Sequence, residues 1–367
     1  MRRSAVLAAL VTFPFATLFA QQPTPAALDT PIVRGLYVNR WASQSAKRMP
    51  QLIAMCDRTE ANALVIDMKD EFGLNYQSAN PLFARNGGNA GQLRNLKALL
   101  DTLKAHKILS IARIVVFKDS VTARVNPSWT IRKQDGTIWR DHKGLAWVNP
   151  HHKELWAYNI GVAEELVKLG FREIQFDYIR FPEPYKSLPA QIFPGADSTP
   201  KPHVIGNFLK EARARINPLG ARVTADVFGL VTTIPGALEV AQQWETLASA
   251  TDVLLPMVYP SHYPRGAFGV PHPNAEPYKI IYAAIKRATS ATTSSASWAR
   301  PPCGRGSRRS RWASRRTAPR RSRSSCAPST TRATRGGCSG ARAAGTNRSW
   351  RPWAPRPPRR RSSPDRL

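Results

Sequence analysis

Gly170-Phe171-Arg172-Glu173-Ile174-Gln175-Phe176-Asp177-Tyr178-Ile179-Arg180-Phe181-Pro182 is the stretch that decides the fold. A near-continuous apolar run opens after a glycine and carries an acid and then an arginine where it emerges. Short β-rich apolar runs of this kind, separated by amphipathic stretches, are the pattern of βα units around a parallel sheet. Burying Asp177 costs several kcal/mol, on the order of a lost ion solvation, unless it is paired. Its nearest partner in sequence is Arg180, and two readings stay open: a functional pair, or an ion pair that braces the rim.

Working outward, the other strand candidates are Val33 to Asn39, Ala63 to Lys69, Leu109 to Phe117, Arg222 to Phe228 and Asp252 to Tyr259, with the quoted strand at Glu173 to Phe181. Apolar residues at helical spacing predict helices over Lys47 to Arg58, Leu96 to His106, Lys153 to Leu169, Val204 to Ile216, Ala237 to Ser249 and Pro277 to Arg287. An open doubly wound sheet would advertise its ligand site by a G-x-G-x-x-G after the first strand, and none is there. A barrel instead collects polar residues at many strand ends on one face. The ends here read Asn39-Arg40-Trp41, Asp67-Met68-Lys69-Asp70, Arg113, Asp177-Tyr178-Ile179-Arg180, Asp226 and Tyr259-Pro260-Ser261-His262. The fold class expected is therefore α/β, a TIM-type (β/α)8 barrel. It is incomplete, because six units appear where eight are needed.

The composition explains where the units stop. Residues 291–367 contain 20 Arg and one Asp, no Lys or Glu, and no Ile, Val, Phe, Tyr, Met, Gln or His. This segment supplies +19 of the formal +30 and cannot build a core. One reading is an Arg-rich arm for nucleic acid or an acidic polymer. The preferred one is a shifted reading frame, since basic arms also use Lys. Thr330 to Gly340 can be encoded so that a one-base shift reads Tyr-Asp-Ala-Gly-Tyr-Glu-Gly-Trp-Leu-Leu-Trp. Arg305 to Ala318 can likewise be shifted to Pro-Trp-Leu-Gln-Ala-Phe-Ser-Leu-Gly-Val-Pro-Pro-Tyr. Both are strand-like, and in the right order to replace the last two units.

At the other end, Arg2 and Arg3 precede an apolar run from Ala5 to Phe19 broken by Pro14, with Ala20 at a cleavage position. That is a secretory signal over residues 1–20, followed by a linker over 21–30, a barrel over 31–290 and the tail over 291–367. Export follows, to the periplasm or beyond, with no membrane span left after cleavage. Cys56 is the one cysteine before the tail, so the barrel has no internal disulfide to make.

Asp177 and Asp226 end neighbouring strands, which lie about 4.8 Å apart. Two carboxylates so placed fall within the roughly 5 to 9.5 Å that glycosidases use for an acid and a nucleophile or base. Asp67 and Lys69 have matching parity, so both are expected to point inward with Arg113, pairing or binding sugar hydroxyls. Asp70 and Glu71 read as a cap or solvated turn. The long connection from Lys118 to Pro150 carries Trp129, Trp139 and Trp147. Trp147, beside Asn149, is a candidate sugar platform, with packing as its alternative. His262 is a pocket candidate, whereas His142, His151 and His152 make no metal signature. No G-x-S-x-G elbow and no P-loop is present.

Val33-Arg34-Gly35-Leu36-Tyr37, Val65-Ile66-Asp67-Met68-Lys69-Asp70, Phe176 to Pro182, Ala225-Asp226-Val227-Phe228-Gly229 and Pro256-Met257-Val258-Tyr259-Pro260-Ser261-His262-Tyr263 occur in this order. Together they resemble a bacterial glycosyl hydrolase domain family formerly counted among the domains of unknown function. The resemblance spans about Pro31 to Arg287. It implies a TIM-type barrel distantly related to amylase-like enzymes, and a glycan as substrate. The sequence departs from the family afterwards, where the last two strands and a Trp-Leu-Trp-like ending belong. The expectation is thus an extracytoplasmic polysaccharide or oligosaccharide hydrolase. Asp177 and Asp226 are catalytic in it, and Asp67, Lys69, Arg113, Trp147, Asn149, Arg180, Tyr259 and His262 line the sugar. It uses no metal or cofactor and no specific nucleic acid. A noncatalytic glycan-binding barrel is the alternative, and a basic-tail nucleic-acid binder the more distant one. As written, with two strand edges unpaired, the chain is expected to fold poorly and be inactive.

Overall fold

The computed structural model describes residues 32–298, with side chains through 289. The expected signal segment and linker and the tail stretches considered for a codon shift lie outside the described residues. All described residues belong to one compact unit, Met1–Cys303. Its strands are β1 (Gly35–Val38), β2 (Ala63–Asp70), β3 (Gly73–Leu74), β4 (Leu109–Val115), β5 (Glu173–Asp177), β6 (Arg222–Phe228) and β7 (Val253–Met257). Its α-helices are α1 (Arg40–Ser43), α2 (Arg48–Arg58), α3 (Pro81–Ala84), α4 (Leu96–Ala105), α5 (Ser120–Val125), α6 (Lys153–Leu169), α7 (Lys201–Ile216), α8 (Trp244–Ala248) and α9 (Pro277–Trp298).

The sheet order is β1-β2-β4-β5-β6-β7, every one of these pairs parallel, with β3 folded back antiparallel on β2. Sequential parallel strands joined by helices are the βα arrangement of a barrel, here an open half-barrel. Among the described residues β1 and β7 each pair on one side only.

The core forms where helix stripes meet the sheet. The α6 stripe of Leu155, Trp156, Ile160, Ala163, Leu166 and Val167 is buried, as are Val204, Ile205, Phe208, Leu209 and Ala212 of α7. Phe208 meets the rings of Phe117, Trp156 and Phe176 edge-on, tying both helices to β5. Gly170 ends α6 at φ 129°, a conformation that side chains with a Cβ resist, and its N–H reaches back to the Leu166 and Val167 carbonyls. That turn sends the chain directly into β5.

Three expected elements differ. β5 stops at Asp177 rather than Phe181, because Tyr178 takes φ 52° and turns the chain out of the sheet. The helix expected from Ala237 is only Trp244–Ala248. The preceding residues form a loop in which the buried Gln242 amide accepts from Phe228 N–H and donates to the Ile179 and Asp226 carbonyls. α9 continues past Arg287 to Trp298. Among the described residues no helix is long and apolar enough to cross a membrane.

Candidate active site

The site lies at the C-terminal ends of the parallel strands, where the ladder places polar residues on neighbouring strands side by side. Asp67 on β2 is in register with Arg113 on β4, and Arg113 with Gln175 on β5. Phe176 pairs with Ala225, so the next residues along are Asp177, the last of β5, and Asp226, two residues before the end of the adjacent β6.

Arg113 is the hub. Its Nη1 donates to Asp67 Oδ1 at 2.6 Å, its Nη2 donates to Asp177 Oδ2, and its Nε stands 3.9 Å from Asp226 Oδ2. Burial works against the guanidinium charge, yet the Asp177 and Asp67 carboxylates beside it hold its pKa above the ordinary arginine value. The Tyr37 hydroxyl donates to Asp67 Oδ2 at 2.5 Å. Burial and then that bond to Asp67 push the phenol upward, so it stays a donor. Asp67 is itself raised by burial, against the opposing pull of Arg113.

The two strand-end acids have different surroundings. Asp177 Oδ1 accepts from the Tyr178 N–H at 2.5 Å, a bond made possible by the left-handed turn at Tyr178, while its other oxygen is held by Arg113. Asp226 accepts from Gln175 Nε2 at 3.0 and 2.8 Å. Burial and then the neighbouring Asp177 charge push its pKa up to about 7. Asp226 therefore holds a proton far above the ordinary carboxylate range.

A cavity of about 300 Å³ opens above them. It is lined by Arg113, Asp177, Tyr178, Arg180 and Phe228, together with Met257 of β7 and Tyr259 and His262 of the turn that follows. Asp226 does not line it. The Arg180 guanidinium lies over the rings of Trp147, Tyr178 and Phe228, at 5.0, 5.2 and 4.8 Å. Its ion pair is with Glu183 at 3.1 Å, not with Asp177. The expected Asp177 and Arg180 partnership is thus corrected: the turn at Tyr178 carries Arg180 away, and Arg113 from the next strand takes its place.

Three other expected contacts are placed elsewhere. Lys69 is fully buried, donates to the Val115 carbonyl and pairs with Asp119 Oδ2, both at 2.6 Å. A register shift between Asp67 and Lys69 breaks the parity that would have turned both inward. Lys69 instead meets the Tyr158 ring on α6 and the N-cap acid of α5. Trp147 is buried too, its indole N–H donating to Asp141 Oδ2, so it backs Arg180 rather than presenting a face to sugar. Asn149 spends its amide on the Pro194 carbonyl and the His151 N–H, bracing the loop.

The structure brings Asp67, Arg113, Asp177, Arg180, Asp226, Tyr259 and His262 to one end of the sheet. Sequence reasoning missed Tyr37, Gln175, Tyr178, Phe228 and Met257. Strand parity would have found two of them, since Gln175 stands two residues before Asp177 and Phe228 two after Asp226. Among the described residues there is no group of three or more His, Cys, Asp and Glu side chains arranged to hold a metal ion.

A family model described as "Putative glycosyl hydrolase domain" matches residues 35–303. A crystal structure of a hypothetical protein from Ruminiclostridium thermocellum is 34% identical, covering 52% of this chain and 97% of its own, with a TM-score of 0.46. The noncanonic maltogenic α-amylase AmyB from Thermotoga neapolitana is 12% identical over 60% of this chain and 48% of its own, with a TM-score of 0.39. A GH20 exo-β-N-acetylglucosaminidase from Vibrio harveyi, in complex with N-acetylglucosamine, is 16% identical over 67% and 46%, with a TM-score of 0.42. The chain spans about half the length of these two enzymes. No curated protein sequence matches it.

Proposed function

The chain belongs to the family described as "Putative glycosyl hydrolase domain", and from that premise we propose that it cleaves a glycosidic bond of an extracytoplasmic polysaccharide or oligosaccharide. The observation that carries this reading is the unequal pair of acids at neighbouring strand ends. Asp226 is pushed up to about 7, and Asp177 is held on the cavity wall by Arg113. In this proposal Asp226 gives its proton to the glycosidic oxygen as the leaving group departs. Asp177 supports the anomeric carbon, either bonding to it or taking a proton from the attacking water. Arg113 then holds the charge that moves between the carboxylates, and Arg180, Tyr259 and His262 contact the sugar.

One observation favours a second reading, a glycan-binding barrel without turnover. Both oxygens of Asp177 already accept hydrogen bonds, and Asp226 stands off the cavity wall. The test is glycosidase activity on a polysaccharide panel, measured in a chain carrying the proposed frame correction in the tail, with the unsubstituted protein, Asp177→Asn and Asp226→Asn. Each substitution is expected to lower the rate by about 100- to 10,000-fold. Activity surviving in both variants defeats the catalytic assignment, and binding without any product in the wild type favours the second reading.

The apolar run from Ala5 to Phe19 supports a role outside the cytoplasm. The composition of residues 291–367 supports a shifted reading frame in the tail, and the unpaired edges of β1 and β7 among the described residues agree with it.

A further inference from the structure

Two exposed aromatic side chains stand on the same rim as the acids, outside the cavity. Trp41, in α1 just after β1, is 55% exposed, and Phe72, in the turn between β2 and β3, is 42% exposed. Their rings meet edge-on at 5.7 Å. Isolated surface apolar residues need no explanation, but this pair sits on an unusually rigid base. Arg40, beside Trp41, is buried and aims most of its N–H groups at the segment that carries Phe72. It makes a two-armed pair with Asp70 at 2.8 Å, and donates to the carbonyls of Gly73, Leu74 and Gly91. The Phe72 N–H donates to Asp70 in turn. Beneath the turn the chain packs backbone on backbone. A Cβ at Gly73, where φ is +98°, would meet the Gly87 carbonyl oxygen at 2.4 Å, and one at Gly88 would meet the Phe72 carbonyl oxygen at 2.1 Å.

A buried ion pair is costly to assemble, and what this one fixes is the placement of two aromatic rings in water. The same β1 and β2 ends hold Tyr37 and Asp67, which connect through Arg113 to Asp177 on the cavity wall. The rings are apolar and preorganised, with the exposed Glu71 beside Phe72, which suits the apolar C–H face of a pyranose ring with hydroxyls at its edge rather than an anion. We propose that Trp41 and Phe72, clamped by Arg40 and Asp70, form a distal subsite that stacks a sugar unit of a glycan extending from the cavity. This rests on the glycan reading of the site and adds that the preferred substrate is a chain rather than a disaccharide.

The test reads binding alone, by fluorescence titration and calorimetry of the full chain. The probes are hexasaccharides and disaccharides of the malto, cello and chito series. The expected result is that at least one hexasaccharide binds wild type about tenfold tighter than its disaccharide. In Trp41→Ala and in Phe72→Ala that ratio falls by about threefold to tenfold while Tm holds. An unchanged ratio in both variants overturns the subsite. So does a fall in Tm with the ratio intact, which would mark the rings as packing, and so does a wild type that binds none of the six probes. Failure of the catalytic reading is separate: it shows as loss-free activity in Asp177→Asn and Asp226→Asn, and leaves the hexasaccharide ratio standing.

Discussion

Strands β2 and β7 are both apolar members of one parallel sheet, yet they live in different solvents. Seven of the eight residues of β2 are buried, while none of the five of β7 is. β2 has β1 on one side and β4 on the other, with helices over its back. β7 has β6 on one side and, among the described residues, no strand on the other. The helix that follows it shows the same imbalance: α9 buries Ile280, Ala284 and Ala288 but leaves Tyr278, Ile281, Tyr282 and Ile285 exposed to water. An apolar strand with a wet edge is the mark of a sheet written for more strands than the described residues supply. The difference teaches that hydrophobicity reports what a segment was built to touch, and exposure reports whether it does.

The strongest way to break this comparison is hydrogen exchange. The outward-pointing amides of β7 are expected to exchange at least about a hundredfold faster than those of β2. In a chain carrying the proposed frame correction in the tail, the two strands should come within about tenfold. If β7 is already as protected as β2 in the present chain, its edge is covered and the missing-strand argument fails. Core truncations sharpen the same contrast. Ile66→Ala in β2 should cost about 2 to 5 kcal/mol in urea unfolding, and Val253→Ala on β7 under about 1 kcal/mol. Equal losses would mean that the two strands share one environment.

The smallest effect concerns pH. Asp226 keeps its proton in the folded state up to about 7, whereas its ordinary value is 3.8. Across that window the folded protein binds a proton that the unfolded chain has released. Stability is therefore fully present below the window, falls as pH rises through it and levels above it. Asp226→Asn should flatten the slope of the urea midpoint between about pH 4 and 7. A slope as steep as wild type would show that the acid ionises normally. No such strand-end acid exists on β7, where a matching pH series on Val253→Ala should follow wild type.

The six βα units were legible because each strand is a short apolar run ending in a polar group, a pattern set by burial on both faces. The convergence of Asp67, Arg113, Asp177 and Asp226 followed from the parallel order alone. What failed was local. Lys69 was assigned inward by parity, and one extra residue in the ladder reversed it. Arg180 was paired with Asp177 by nearness in sequence, while a left-handed Tyr178 separated them. Trp147 looked like a sugar platform by residue type, but its indole is spent on Asp141 beneath Arg180. Bulges, single positive φ values and burial of a ring depend on contacts far away in sequence, so no local pattern announces them.

Arg113 makes the acids of the site a single thermodynamic unit. One guanidinium serves Asp67, Asp177 and, at longer range, Asp226, so neutralising any one carboxylate redistributes its hold on the other two. The energetic contributions of these residues are then non-additive, and a double substitution costs less than its parts predict. Selection at this rim consequently acts on the quartet, and a change at Asp67, out of the cavity, can be corrected or worsened by one at Asp226 on the far side of the same arginine.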